Sequence, residues 1–145
     1  MRPSEVAKTL TPNDLGLTGS HQAGIAIPKE PDILAFFPSL DSKRYNPDVV
    51  LSVFAPETDQ YWELRYVYYN NKLHDQGTRN EYRLTGTTLM LRELAASAGD
   101  SIAFRRTRAG DMEVVILPAD LSNKPAAGEK LLKNGWRMTI TTSED

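Results

Sequence analysis

The sequence predicts a mainly β fold: an open or nearly closed β-barrel of seven strands with two or three short helices. Three observations predict it. Short runs of β-type residues recur along the whole chain. Turn residues separate them. Helical spacing is confined to brief stretches. A length of 145 residues is enough for one domain with a sizeable core, and no internal repeat or low-complexity segment suggests a second.

The elements follow in order. "AGIAIP" (23–28) is a first strand, stopped by Pro28. "EPDILAFFPSL" opens a helix at Pro31-Asp32 and is cut at Pro38. "DVVLSVFA" (48–55) is a second strand. "YWELRYVYY" (61–69) is a third: Trp62, Leu64, Tyr66 and Tyr68 fall on one side, and Tyr61, Glu63, Arg65, Val67 and Tyr69 on the other. "NEYRLTG" (80–86) is a fourth. "TTLMLRELAASAG" is the best helix, capped by Thr87 or Thr88 and stopped by Gly99. Its Leu89, Leu91, Leu94 and Ala95 give an apolar face. "SIAFRRT" (101–107) and "MEVVILP" (112–118) form a hairpin turned by "RAGD". "GEKLLKN" is a candidate third helical turn, and "WRMTITT" (136–142) a last strand.

Hydrophobic residues make up 40% and charged residues 25%, the proportions of an ordinary globular fold. No apolar run is long enough to span a membrane, and "MRPSEVAKTL" lacks the apolar stretch of a signal peptide. Zero Cys excludes disulfides, thiolate metal sites and a thiol nucleophile. A cytoplasmic location, with no membrane partner, is expected. The net charge of −2 argues against a non-specific nucleic-acid coat. Charge is nevertheless segregated: Glu57, Asp59 and Glu63 sit together, as do the three Arg of "RRTR" (105–108), so one face can be basic.

Two loops carry candidate recognition chemistry. "NDLGLTGSHQAG" (13–24) holds Asn13, Asp14, Ser20, His21 and Gln22. Gln can bond adenine through two atoms, and His and Ser can bond base acceptors or phosphates. A plain connection with a surface His fits the same residues. "YYNNKLHDQGTRNEYRLTG" (68–86) holds Asn70, Lys72, Arg79, Asn80, Glu81, Tyr82 and Arg83. Alternation puts Arg79, Glu81 and Arg83 on one face, Asn80 and Tyr82 on the other. Arg can fork onto guanine and Glu can accept from a cytosine amino group. A self-paired surface ion pair uses the same residues and is commoner. Arg105 and Arg106 face opposite sides of a strand, so at most one joins a given patch.

Catalytic patterns are thin. No HxH, HExxH, GxSxG or phosphate-loop motif occurs. Asp48 and Glu63, followed by Arg65, loosely imitate a Mg²⁺ nuclease pattern, but Arg stays protonated and replaces the Lys expected there. Tyr61, Tyr69 and Tyr82 leave open a barrel that stacks single-stranded bases or binds a protein.

Taken together, the two loops resemble the arms of the N-terminal effector domain of EcoRII-type restriction endonucleases. "LTPNDLGLTGSHQAGIAIP" is similar to the first arm and "YYNNKLHDQGTRNEYRLTG" to the second. "FFPSL" and "NPDVVLSV" lie between them in matching order, so the likeness covers about Leu10 to Thr85. "AGDSIAFRR" resembles a signature of plant B-three transcription-factor domains. The resemblance implies a seven-stranded DNA-binding pseudobarrel, monomeric, that grips duplex DNA between its arms in the major groove. It implies the pseudopalindrome CCWGG (W is A or T) as target. It implies a non-catalytic chain with no cofactor, in a longer enzyme of type IIE whose separate C-terminal nuclease domain is the partner that uses Mg²⁺. His21 and Gln22 stand on the first-arm pair, and Arg79, Asn80, Glu81 and Arg83 on the second-arm motif. Gly77 and Tyr82 stand where the family has basic residues, and Ala26 where it has an aromatic. These departures should weaken phosphate attraction more than base reading, with Lys72, Arg105 and Arg106 available to compensate.

Overall fold

The computed structural model describes residues 3–18, 24–119, 129–132 and 135–139. Its strands are β1 (Glu5–Thr9), β2 (Ile25–Ile27), β3 (Asp48–Ala55), β4 (Gln60–Tyr69), β5 (Glu81–Thr85), β6 (Ser101–Arg106), β7 (Met112–Leu117), β8 (Glu129–Leu131) and β9 (Trp136–Thr139). Two short helices, α1 (Pro31–Phe36) and α2 (Thr87–Glu93), and a 3₁₀ turn at Asn71–His74 complete the described elements. All the strands lie in one sheet of order β2-β5-β4-β3-β7-β6-β1-β9-β8. Every pairing is antiparallel except β3 with β7.

The sheet is curled, as one side chain shows. Phe37 stacks on Tyr66 of β4 at 4.9 Å and meets Phe104 of β6 edge-on at 6.2 Å. Two strands separate β4 from β6, which in a flat sheet is about 14 Å of hydrogen-bonded spacing. One ring can touch both only if the sheet wraps around it. Inside the wrap, Val6, Ile25, Ile33, Phe36, Val53, Leu84, Met90, Ile102, Val114 and Trp136 are all buried.

Pro31 occupies the first turn of α1, with Asp32 behind it. Phe37 leaves the helix in an extended conformation, which the following Pro38 requires. That exit delivers Phe37 to the middle of the core.

The mainly β, open-barrel class expected from the pattern is the observed one, with corrections to its parts. The sheet has nine described strands, not seven. β1 is an addition, and 129–131, read as a helical turn, pair with β9 as β8. α2 starts after Gly86, not on a Thr cap. It stops six residues before Gly99 because Ala95 turns left-handed at φ 55°. No described helix is long and apolar enough to cross a membrane.

Candidate nucleic-acid interface

β4 runs into the second arm and β5 returns from it. Their register sets Tyr69 opposite Glu81 and Tyr68 opposite Tyr82. Tyr69 is the seat of the arm. The Arg79 guanidinium lies over its ring at 3.6 Å, and Arg65 lies near the same ring at 6.0 Å. Arg65 is itself held by Asp48 at 2.5 Å, and that hydrogen bond raises its already high pKa.

Arg79 donates from Nε and Nη2 to one oxygen of Glu81, at 3.0 and 2.7 Å. The Nη1 edge of its guanidinium takes no part in these bonds. The other Glu81 oxygen lies 3.6 Å from Arg83, which reaches the Gly24 carbonyl at 3.2 Å. A chain of charges therefore runs along β5 from the second arm to the exit of the first.

The alternation reading holds for the faces of this strand. Arg79, Glu81 and Arg83 share one. Asn80 and Tyr82 share the other, where Asn80 accepts from the Tyr68 hydroxyl at 2.6 Å and Tyr82 stacks on Tyr68 at 4.2 Å. Burial, followed by Tyr68, pushes the Tyr82 phenol up. Depth separates the two arginines: the Arg79 side chain is 41% exposed, that of Arg83 only 5%.

Asn70 is fully buried. It donates to the carbonyls of Ser42 and Arg44 at 3.0 and 2.7 Å. It also exchanges bonds with Asn46: the Asn46 amide donates to its side chain at 2.7 Å, and its own amide donates to that of Asn46 at 3.0 Å. Asn70 thus fixes the 42–46 loop against the arm's root. Lys72 is exposed, and its backbone amide donates to the Arg79 carbonyl at 3.0 Å.

In the first arm, Asn13 is exposed and accepts from the Thr18 hydroxyl at 2.7 Å. Asp14 is buried, ion-paired with buried Lys8 and bonded by the Thr11 amide at 3.0 Å. Ser20, His21 and Gln22 lie outside the described residues. The arm returns at Gly24, whose φ is +86° and where an added Cβ would stand 2.2 Å from the Leu84 carbonyl oxygen. Only glycine fits there.

Arg105 is paired with Glu5 at 2.5 Å. Arg106 turns the other way, donates to the Phe36 carbonyl and covers the Phe36 ring at 5.0 Å. The structure brings neither to the arms.

The rival constellations do not converge. Asp48 stands opposite Val67 and Glu63 opposite Ser52, four residues apart along the hairpin, or about 13 Å. No group of three metal-binding side chains occurs among the described residues. Of the candidate stacking rings, Tyr69 is covered by Arg79 and Tyr82 by Tyr68; exposed Tyr61 pairs with Phe54 at 4.9 Å. Sequence reasoning missed Lys8, Tyr45, Asn46 and the seating role of Tyr69. The run of two Tyr and two Asn at 68–71 was a signal, but nothing local showed which would face inward.

Comparison with known proteins adds to this geometry. The type II restriction enzyme EcoRII of Escherichia coli is 41% identical over 80 residues, covering 54% of this chain and 19% of that enzyme. Auxin response factor 22 of Oryza sativa subsp. japonica is 31% identical over 137 residues, covering 93% of this chain and 17% of that protein. The chain thus spans under a fifth of either relative. A crystal structure of the B3 domain of the UbaLAI restriction endonuclease with cognate DNA shares 22% identity at a TM-score of 0.48, covering 77% of this chain and 64% of the other. The model of the family described as restriction endonuclease EcoRII, N-terminal, matches residues 4–115. That match includes both arm roots and the β4–β5 ladder between them, and the chain belongs to the EcoRII N-terminal domain family.

Proposed function

We propose that this chain is a sequence-specific duplex-DNA-binding module, the effector domain of a type IIE restriction endonuclease, and that it reads CCWGG in the major groove. The carrying observation is the Arg79–Glu81 pair, half-exposed on an arm and seated on Tyr69. A guanidinium held against a ring at 3.6 Å, and bonded to Glu81, has its planar fork already restrained, which lowers the ordering cost of a two-bond contact to guanine. Glu81 beside it can accept from the cytosine amino group of an adjacent pair.

Arg83 and Asn70 serve this reading from below. Arg83 ties the arm to Gly24, and Asn70 holds its root. Base contacts then fall to Arg79, Glu81 and Asn80 on this arm and to His21 and Gln22 on the other. Lys72, Asn13, Ser20, Arg105 and Arg106 are left for the DNA backbone or for the fold. The chain itself needs no cofactor. Cutting, with Mg²⁺, belongs to a C-terminal nuclease domain of the longer enzyme. One monomer covers both half-sites.

A competition gel shift tests this. A labelled CCWGG duplex should be displaced by unlabelled CCWGG and not by a copy with one outer C·G pair changed. Arg79→Ala should remove about 1–3 kcal/mol of that discrimination. Equal weakening on specific and random DNA would show that Arg79 does not read a base.

A further inference from the structure

The basic groups on and off the arms are unevenly committed. Lys8, Arg65, Arg79, Arg83 and Arg105 each have an acidic partner. Among the described residues, Lys29, Lys43, Arg44, Lys72 and Arg92 make no ion pair. All of these except Arg92 surround the second arm. Lys29 lies 5.8 Å from the ring of Tyr68, the partner of Asn80. Lys72 is on the arm, and Lys43 and Arg44 are exposed on the loop before β3.

Topology explains why that loop is there. β3 begins where β4 ends, since Asp48 stands opposite Val67. The 41–47 loop and the second arm therefore leave the same end of the hairpin. Asn70 then fixes the loop through the carbonyls of Ser42 and Arg44. Asn71 donates to the Tyr45 hydroxyl at 2.8 Å, and the Tyr45 ring packs edge-on against His74 at 5.7 Å. The His74 ring also lies within hydrogen-bond distance of the Ser42 carbonyl, at 3.2 Å. Asp41 caps the loop's own amides: its side chain accepts from Lys43 N and its carbonyl from Arg44 N, both at 3.0 Å. Asp48, at the end of the loop, is held by Arg65, and Asp75 pairs with none of these cations among the described residues.

A rigid loop that presents two uncommitted cations beside a base-reading arm suits a phosphate backbone. Phosphates lie on both sides of the groove that the arm would enter, and contacts to them set register without reading sequence. We propose that Lys43 and Arg44, with Tyr45 between the loop and the arm, form a third DNA-contacting element: a phosphate clamp carried on the root of the second arm. This rests on the DNA-binding reading above.

The test is salt-dependent fluorescence anisotropy from 50 to 200 mM, with a CCWGG duplex and a scrambled duplex. Three proteins are compared: the wild type, a Lys43→Gln/Arg44→Gln variant, and a Ser52→Glu/Gln60→Glu control. The control changes net charge by the same amount on β3 and β4, away from the loop. The clamp variant should lose affinity equally for both duplexes. Its log–log salt slope should be shallower by about 1.8, at about 0.9 per phosphate contact. Over that salt range it should weaken roughly tenfold less than the wild type, while the control keeps the wild-type slope. An unchanged slope in the clamp variant, a matching change in the control, or a loss confined to CCWGG would overturn the clamp. If the wild type bound neither duplex, the DNA-binding reading itself would fall, and the clamp with it.

Discussion

Asp14 and Arg83 show what one side chain's depth can change. Both belong to types that bind nucleic acid from a surface, and both are buried here. Asp14 holds Lys8 and the Thr11 amide, so it anchors the first arm. Asp14→Ala would leave an ammonium group buried without its counter-charge, which costs about 3–5 kcal/mol. The urea midpoint should fall accordingly; a loss below about 1 kcal/mol would mean that Lys8 escapes to solvent. Strand alternation assigned Arg79, Glu81 and Arg83 to the correct face. It could not rank their exposure, because that depends on Gly24, fifty-nine positions away in the chain.

At the scale of elements, the long strands were legible and the short ones were not. β3, β4, β6 and β7 alternate or run apolar between turn residues. β1 was hidden because the Lys in "EVAKT" looks like an outward residue, yet it is buried against Asp14. β8 was mistaken for helix because "GEKLLKN" is rich in good helix formers and its strand state depends on β9 alone. α2 was overextended because a left-handed Ala is seldom expected before an available Gly. β2 is only three residues long and depends on its seam with β5. Gly24→Ala places a methyl against the Leu84 carbonyl at a left-handed φ. The seam should loosen, with at least about 1–3 kcal/mol lost in urea unfolding. A variant as stable as the wild type would contradict that close approach.

The whole molecule wraps one sheet around a core into which aromatic rings are stacked. Tyr66 is packed between Phe37 and Tyr82, and burial raises its phenol pKa above the ordinary value. The sign follows directly. Below about pH 10 both folded and unfolded chains keep this group neutral, and its contribution is complete. Above that pH the unfolded chain ionises first, so stability drains away as pH rises toward the folded value. Urea midpoints measured from pH 9 to 11.5 should decline, and Tyr66→Phe should flatten the decline. An unaltered slope in that variant would assign the effect to other groups.

The reciprocal clasp of Asn46 and Asn70 carries a further consequence, in the currency of hydrogen exchange. The clasp joins backbone amides twenty-four positions apart to side chains rather than to a strand partner. Those amides can meet bulk water only when Asn70 leaves its buried seat, and that seat is at the end of the longest hairpin. Residues that read as irregular loop should therefore exchange their protons on the clock of the core. A loop held in this way is already ordered in the folded chain, so the entropy of ordering it has been met during folding.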